Sequence, residues 1–189
     1  LETDPPFVLE TPSYLLLEES TGQVICEHNA DERRPVASVT KLMTLLLTFE
    51  SLEDGSIRLG DTVTCSKNAA GMGGSQALLD AGSKYKLEDL LRSTIIASAN
   101  DSAVALAEHI AGTEQNFVER MNARAAALGM ENTAYQNCTG LPAAGQYTTA
   151  RDVAVLSREM AKHPDYFKYS TVWMDTLTHP GGRVTDLTN

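Results

Sequence analysis

This 189-residue sequence has three cysteines, at 26, 65 and 138, with no CxxC spacing among them. That excludes a disulfide-dense scaffold and a zinc-ribbon framework, and buried, inert thiols are expected. A nucleophilic Cys138 would need a base beside it, which nothing in the spacing supplies. The four histidines, at 28, 109, 163 and 179, form no HExxH pair, so no metal is expected, and no cofactor either. Basic residues are scarce: 15 Lys and Arg stand against 25 Asp and Glu, a formal net charge of −10. Phosphate backbones are held by clustered Lys and Arg. The one basic pair, Arg33-Arg34, is flanked by Asp31 and Glu32. No nucleic-acid partner is therefore expected, and the acidity reads as a solvated surface. Long apolar runs are absent too. The richest, residues 42–49, falls far short of the roughly 20 residues a membrane span needs. The opening Leu1-Glu2-Thr3-Asp4-Pro5-Pro6 lacks the basic start and apolar stretch of an export leader. Glycine-rich residues 71–75 lack the Lys-Ser/Thr ending of a phosphate-binding loop.

What remains is enough chain for one substantial core. Residues 14–19 and 23–27 are β-prone and flank Ser20-Thr21-Gly22, which reads as a hairpin. Residues 29–35 are polar loop. From about Ser38 the pattern turns helical: Leu42, Leu45, Leu46 and Phe49 fall at i, i+3, i+4 and i+7. Met43 and Leu47 widen that arc, as in a central helix buried on most sides, and Gly55 lies beyond its end. Residues 62–65 read as a short strand. Residues 87–96 and 101–110 read as two helices broken near Ser98, and Phe117, Met121, Ala125 and Leu128 as a third running to Gly129. Residues 130–148 are irregular. A helix begins at Thr149, with Asp152 completing a capping-box variant, and Val153, Leu156 and Met160 give its apolar stripe. His163-Pro164 ends it. Residues 172–177 read as a strand and Pro180-Gly181-Gly182 as a turn. This order predicts an α+β fold in which a helical cluster packs on an antiparallel sheet. An isolated hairpin is marginal, so further strands are expected beyond Asn189.

The chemistry-bearing segment is Ser38-Val39-Thr40-Lys41. Residues three apart on a helix share a face, so the Lys41 amine can reach the Ser38 hydroxyl. A serine hydroxyl is a weak nucleophile until a neighbour takes its proton. Lysine can do so only when its pKa falls, through burial or the positive end of a helix dipole. Chance alone supplies about 0.4 such matches in a sequence of this composition, and Ser83 to Lys86 is a second one. That second match leads into a helix, where a capping role for Ser83 is expected. The other element is Ser98-Ala99-Asn100, between two helices. There Ser98 can relay a proton and Asn100 can bond Lys41 and a substrate carbonyl. Helix capping explains Ser and Asn at such a position equally well. Ser66-Lys67-Asn68 is a decoy for the same pattern.

Penicillin-binding and β-lactamase serine enzymes combine two such elements with a third, K-T-G. Residues 37–44 and 97–103 resemble the active-site stretches of the D-alanyl-D-alanine carboxypeptidases, the S11 serine peptidases, in their Gram-positive flavour. Leu128-Gly129-Met130, Asn137 with Gly140-Leu141-Pro142, and Tyr147 to Asp152 fit the same pattern. The resemblance implies a DD-peptidase/serine β-lactamase-like fold and catalytic roles for Ser38, Lys41, Ser98 and Asn100. It implies a peptidoglycan stem peptide ending in D-Ala-D-Ala as substrate and β-lactam antibiotics as acylating partners. It also implies an extracytoplasmic location, with any membrane anchor outside this chain. A serine β-lactamase and a penicillin-sensing module are the rivals on the same fold. The family's third motif, K-T-G or K-S-G, does not follow Ser98, and His179-Pro180-Gly181 cannot replace it because proline has neither hydroxyl nor N–H. Residues 1–189 are thus expected to be the N-terminal portion of one catalytic domain, weak or inactive alone.

Overall fold

The structure is a computed structural model describing residues 9–189. The opening Leu1 to Pro6 lies outside the described residues. The first hairpin forms where expected: β1 (Tyr14–Leu17) pairs antiparallel with β2 (Val24–His28). Gly22 takes φ +76 in the turn between them, a conformation that a Cβ resists. A 3₁₀ turn, Ala37–Thr40, leads directly into α1 (Lys41–Glu53). Met43, Leu45, Leu46 and Phe49 on α1 are buried, and so are Thr44 and Thr48. The helix is enclosed on nearly every side, which is what its wide apolar arc requires.

β3 (Thr62–Thr64) pairs antiparallel with β4 (Lys84–Lys86), and the short α2 (Lys67–Ala70) lies between them. Ser66, part of the decoy, is the cap of α2: its Oγ accepts from the Ala69 N–H at 2.9 Å. Then come α3 (Leu87–Ile96), α4 (Asn100–Ala111) and α5 (Glu114–Ala127). α4 is buried continuously from Asn100 to Ala107, and small side chains at Ala103, Ala105 and Ala107 let its neighbours approach. α6 (Ala150–Ala161) starts at Thr149, whose hydroxyl accepts from the Asp152 N–H at 3.1 Å. The Asp152 carboxylate does not return to Thr149. It accepts instead from the Asn132 N–H and the Thr133 hydroxyl, so half of the capping box forms and the other half ties down the irregular segment. The break at His163-Pro164 is followed by α7 (Pro164–Ser170), where a proline at the first position suits a helix start. This helix, like α2 and β4, is too short to carry a readable period.

β5 (Met174–Thr178) and β6 (Val184–Thr188) close the described chain as an antiparallel pair. Leu177 and Leu187 are buried, and Arg92 of α3 pairs with Asp175 of β5. The class is α+β. The sheet differs from expectation: among the described residues the strands form three separate two-stranded antiparallel sheets. Each is seated on helices, β1 against α6 and β5 with β6 against α3, and that packing supplies what an isolated pair lacks. Among these residues no helix is long and apolar enough to cross a membrane.

The core centres on α1, which packs against α3, α4, α5 and α6. Leu46→Ala, at a fully buried position on α1, should lower unfolding free energy by about 2–5 kcal/mol in urea titrations. Val24→Thr, on the exposed side of β2, should stay within about 0.5 kcal/mol.

Candidate active site

Ser38 and Lys41 straddle the junction of the 3₁₀ turn and α1. Ala37 adopts φ +44, a left-handed conformation costing on the order of 1 kcal/mol or more for a residue with a Cβ. It turns the chain so that Ser38 is exposed while Lys41, three residues on, is 3% exposed. Lys41 Nζ lies 3.1 Å from Ser38 Oγ and donates to the Thr139 carbonyl at 2.9 Å. Among the described residues no carboxylate pairs with it. Burial without a counter-ion penalises the ammonium, and the Lys41 pKa is lowered from 10.5 to about 8. An amine that is partly neutral near physiological pH, beside an exposed hydroxyl, can take that hydroxyl's proton.

The carbonyl holding Lys41 belongs to a tight turn at residues 137–141. Thr44 of α1 donates its hydroxyl to the Cys138 carbonyl at 2.7 Å. The Glu114 carboxylate of α5 accepts from the Cys138 N–H and thiol. Burial and that neighbouring carboxylate push the Cys138 thiol pKa well above its ordinary value, the opposite of what a nucleophilic thiolate needs. All three cysteines are free and buried. Gly140 takes φ +87, and a Cβ there would sit 1.8 Å from the Ala37 carbonyl oxygen. Only glycine lets the turn press this closely against the backbone beside Ser38.

Ser98 and Asn100 lie at the α3–α4 junction. Ala99 is the N-cap of α4, and no side chain caps it, so capping does not explain either residue. Ser98 adopts φ +52, and its buried hydroxyl has no hydrogen-bond partner among the described residues. The Asn100 N–H donates to the Ser75 carbonyl and its Nδ2 to the Gly73 carbonyl, both at 2.7 Å, while its Oδ1 is buried without a partner.

The structure brings Ser38 and Lys41 into direct contact. It connects them to Asn100 through intervening loops, without a direct hydrogen bond. A Cβ on Gly74 would lie 2.8 Å from Asn100 Nδ2 and 3.7 Å from a Leu141 methyl, so the 73–75 loop, Asn100 and the 137–141 turn share one place. The acceptor for Lys41 suggested by spacing, the Asn100 amide, is replaced by the Thr139 backbone carbonyl. A main-chain atom has no residue signature, so composition could not reveal it. The nearest signal was glycine at 140. The second S-x-x-K match is structural: Lys86 occupies the N-cap position of α3 without a side-chain cap, so Ser83 is not the cap. His179 is buried against Tyr85 and Thr185 at the β5–β6 turn.

The profile described as D-alanyl-D-alanine carboxypeptidase, peptidase S11, matches residues 2–187. The chain belongs to the S11 family. This S11 chain is 42% identical over 168 residues to the D-alanyl-D-alanine carboxypeptidase DacF of Bacillus subtilis, covering 89% of this chain and 43% of DacF. It is 37% identical over 158 residues to DacC of Escherichia coli, covering 80% of this chain and 40% of DacC. The crystal structure of the carboxypeptidase DacD from Francisella tularensis superposes with a TM-score of 0.90 at 34% identity, over 95% of this chain and 44% of that one. The chain thus spans less than half the length of these relatives.

Burial of Lys41 makes a prediction about stability. The unfolded chain holds the Lys41 proton up to pH 10.5, the folded chain only to about pH 8. Folding therefore releases a proton in that window, and stability rises with pH across it. Relative to Lys41→Met, the wild type should gain about 3 kcal/mol between pH 8 and 10.5, a lowering from 10.5 to about 8 converted at 1.36 kcal/mol per pH unit. Below pH 8 the difference should be flat. Urea titrations of both proteins at matched pH check this, since the other titrating groups cancel.

Proposed function

We propose that residues 1–189 form the N-terminal portion of a single catalytic domain, and that the whole protein is a serine-type D-Ala-D-Ala carboxypeptidase of the cell envelope. The observation that carries this reading is the buried, unpaired Lys41 amine 3.1 Å from the exposed Ser38 hydroxyl. Family membership supports a peptidoglycan stem peptide ending in D-Ala-D-Ala as the substrate.

In this reading neutral Lys41 accepts the Ser38 proton as Oγ attacks the penultimate D-Ala carbonyl. The Ser38 N–H faces the developing oxyanion. Ser98, whose hydroxyl has no competing partner, passes a proton to the leaving amine, and D-alanine departs. Asn100 offers its Oδ1 as an acceptor for a substrate N–H. Water then hydrolyses the acyl-enzyme. A second oxyanion donor and a residue binding the terminal carboxylate are needed from outside these 189 residues. An oxyanion hole short of one donor loses on the order of 100- to 1000-fold in rate, so the segment alone is weakly active or inactive. β-Lactams present a strained carbonyl in the same place and acylate Ser38.

Incubating the full-length protein with a labelled penicillin should give one covalent adduct, mapped to Ser38 by mass spectrometry and absent in Ser38→Ala. Slow release of the adduct together with D-alanine release from a D-Ala-D-Ala peptide is expected. Rapid penicillin turnover without D-alanine release would make the protein a β-lactamase, and an adduct on Ser38→Ala would remove the nucleophile assignment.

A further inference from the structure

The turn at residues 137–141 is folded around one side chain. Asn137 Oδ1 accepts from the Gly140 N–H at 2.7 Å and from the Thr139 N–H and hydroxyl, both at 3.2 Å. Its Nδ2 donates to the Leu141 carbonyl at 2.8 Å. Gln146 closes the base of the turn, accepting from the Gln136 and Asn137 N–H groups and donating to the Leu141 carbonyl. Only a primary amide presents an acceptor and a donor on one short plane. Aspartate keeps the acceptor and loses the donor, and alanine loses both. The outer supports, Thr44 and Glu114, hold Cys138, and the close approach of Gly140 to Ala37 presses the turn against the Ser38 backbone. Asn137 sets the orientation of the residue between them, Thr139, whose carbonyl receives Lys41 Nζ.

We infer that Asn137 is a positioning residue: by folding residues 137–141 about its amide, it fixes the Thr139 carbonyl as the acceptor that keeps the Lys41 amine on Ser38. The inference rests on the proposed role of Lys41 as the base for Ser38. A lysine side chain has many rotamers, and its amine can leave the hydroxyl at little enthalpic expense. A neutral amine has two N–H groups and one lone pair. One N–H committed to a rigid carbonyl directs the lone pair toward the Ser38 proton. Without that anchor the amine samples other rotamers, and a displacement of about 1 Å at a reacting group can lower a rate by about 100-fold. The same carbonyl also stabilises the ammonium form through its hydrogen bond.

Two full-length variants test this, Asn137→Ala and Asn137→Asp, each checked for cooperative thermal unfolding. Ser38 acylation by a fluorescent penicillin is followed from pH 6 to 10, and the Lys41 titration is read separately by lysine side-chain NMR. Asn137→Ala should lower the plateau acylation rate by about 10- to 100-fold and move both the acidic limb and the Lys41 titration to lower pH. Asn137→Asp keeps the oxygen that accepts from the Thr139 and Gly140 N–H groups and should recover most of the plateau. Its added carboxylate should move the limb to higher pH. An Asn137→Ala protein with the wild-type rate and limb overturns the inference. So does a slowed protein whose Lys41 titration moves up toward 10.5, because water entering a loosened site, rather than a lost anchor, would then explain the defect. If the alanine variant does not fold, the aspartate variant decides: a plateau as low as that of Lys41→Met overturns the inference. A wild type that no penicillin acylates would remove the enzymatic reading instead, and the NMR titration would still report whether Asn137 holds Lys41.

Discussion

The site depends on one buried amine. Lys41 enters the protein interior without a counter-ion, which is tolerable only if the group sheds its charge or finds strong acceptors. It does some of both. Desolvation brings its pKa down to about 8, and the Thr139 carbonyl and Ser38 hydroxyl take its hydrogen bonds. Everything nearby serves that arrangement. The left-handed Ala37 turns Ser38 outward, the 3₁₀ turn sets the Ser-to-Lys spacing, and Gly140 admits the carbonyl-bearing turn.

The helical core makes the burial possible. α1 and α4 are the most enclosed helices, and both carry their polar motif at the N-terminal end. Their apolar bodies anchor those ends within the packed cluster, while loops converge from other parts of the chain. The 73–75 loop meets Asn100 through backbone carbonyls, and the Asp101 carboxylate secures the next stretch by accepting from the Ala77 and Leu79 N–H groups. Two of the four buried side-chain polar atoms without a partner among the described residues, the Ser98 hydroxyl and Asn100 Oδ1, belong to this junction.

Long elements with a clear period were legible before any coordinates. The arc of Leu42, Leu45, Leu46 and Phe49 on α1, the break near Ser98 and the Thr149 cap all formed where periodicity and capping chemistry place them. Short helices were not legible: α2 spans four residues and α7 seven, too few to set an apolar stripe apart from chance. The second S-x-x-K match shows the limit of spacing, since a strand running into a helix start carries Lys86 away from any partnership with Ser83.

The sequence by itself determined the local geometry of the site. Ser38 lies in the 3₁₀ turn that runs into α1, and at three residues per turn Lys41 falls on the same face. The sequence also determined class, through the alternation of short β-prone runs with helical stretches. Tertiary structure alone decided how deeply Lys41 is buried and which atom holds it. Those outcomes depend on contacts between residues about a hundred positions apart. They are made in part by backbone atoms that every residue carries, so no pattern of side chains can announce them.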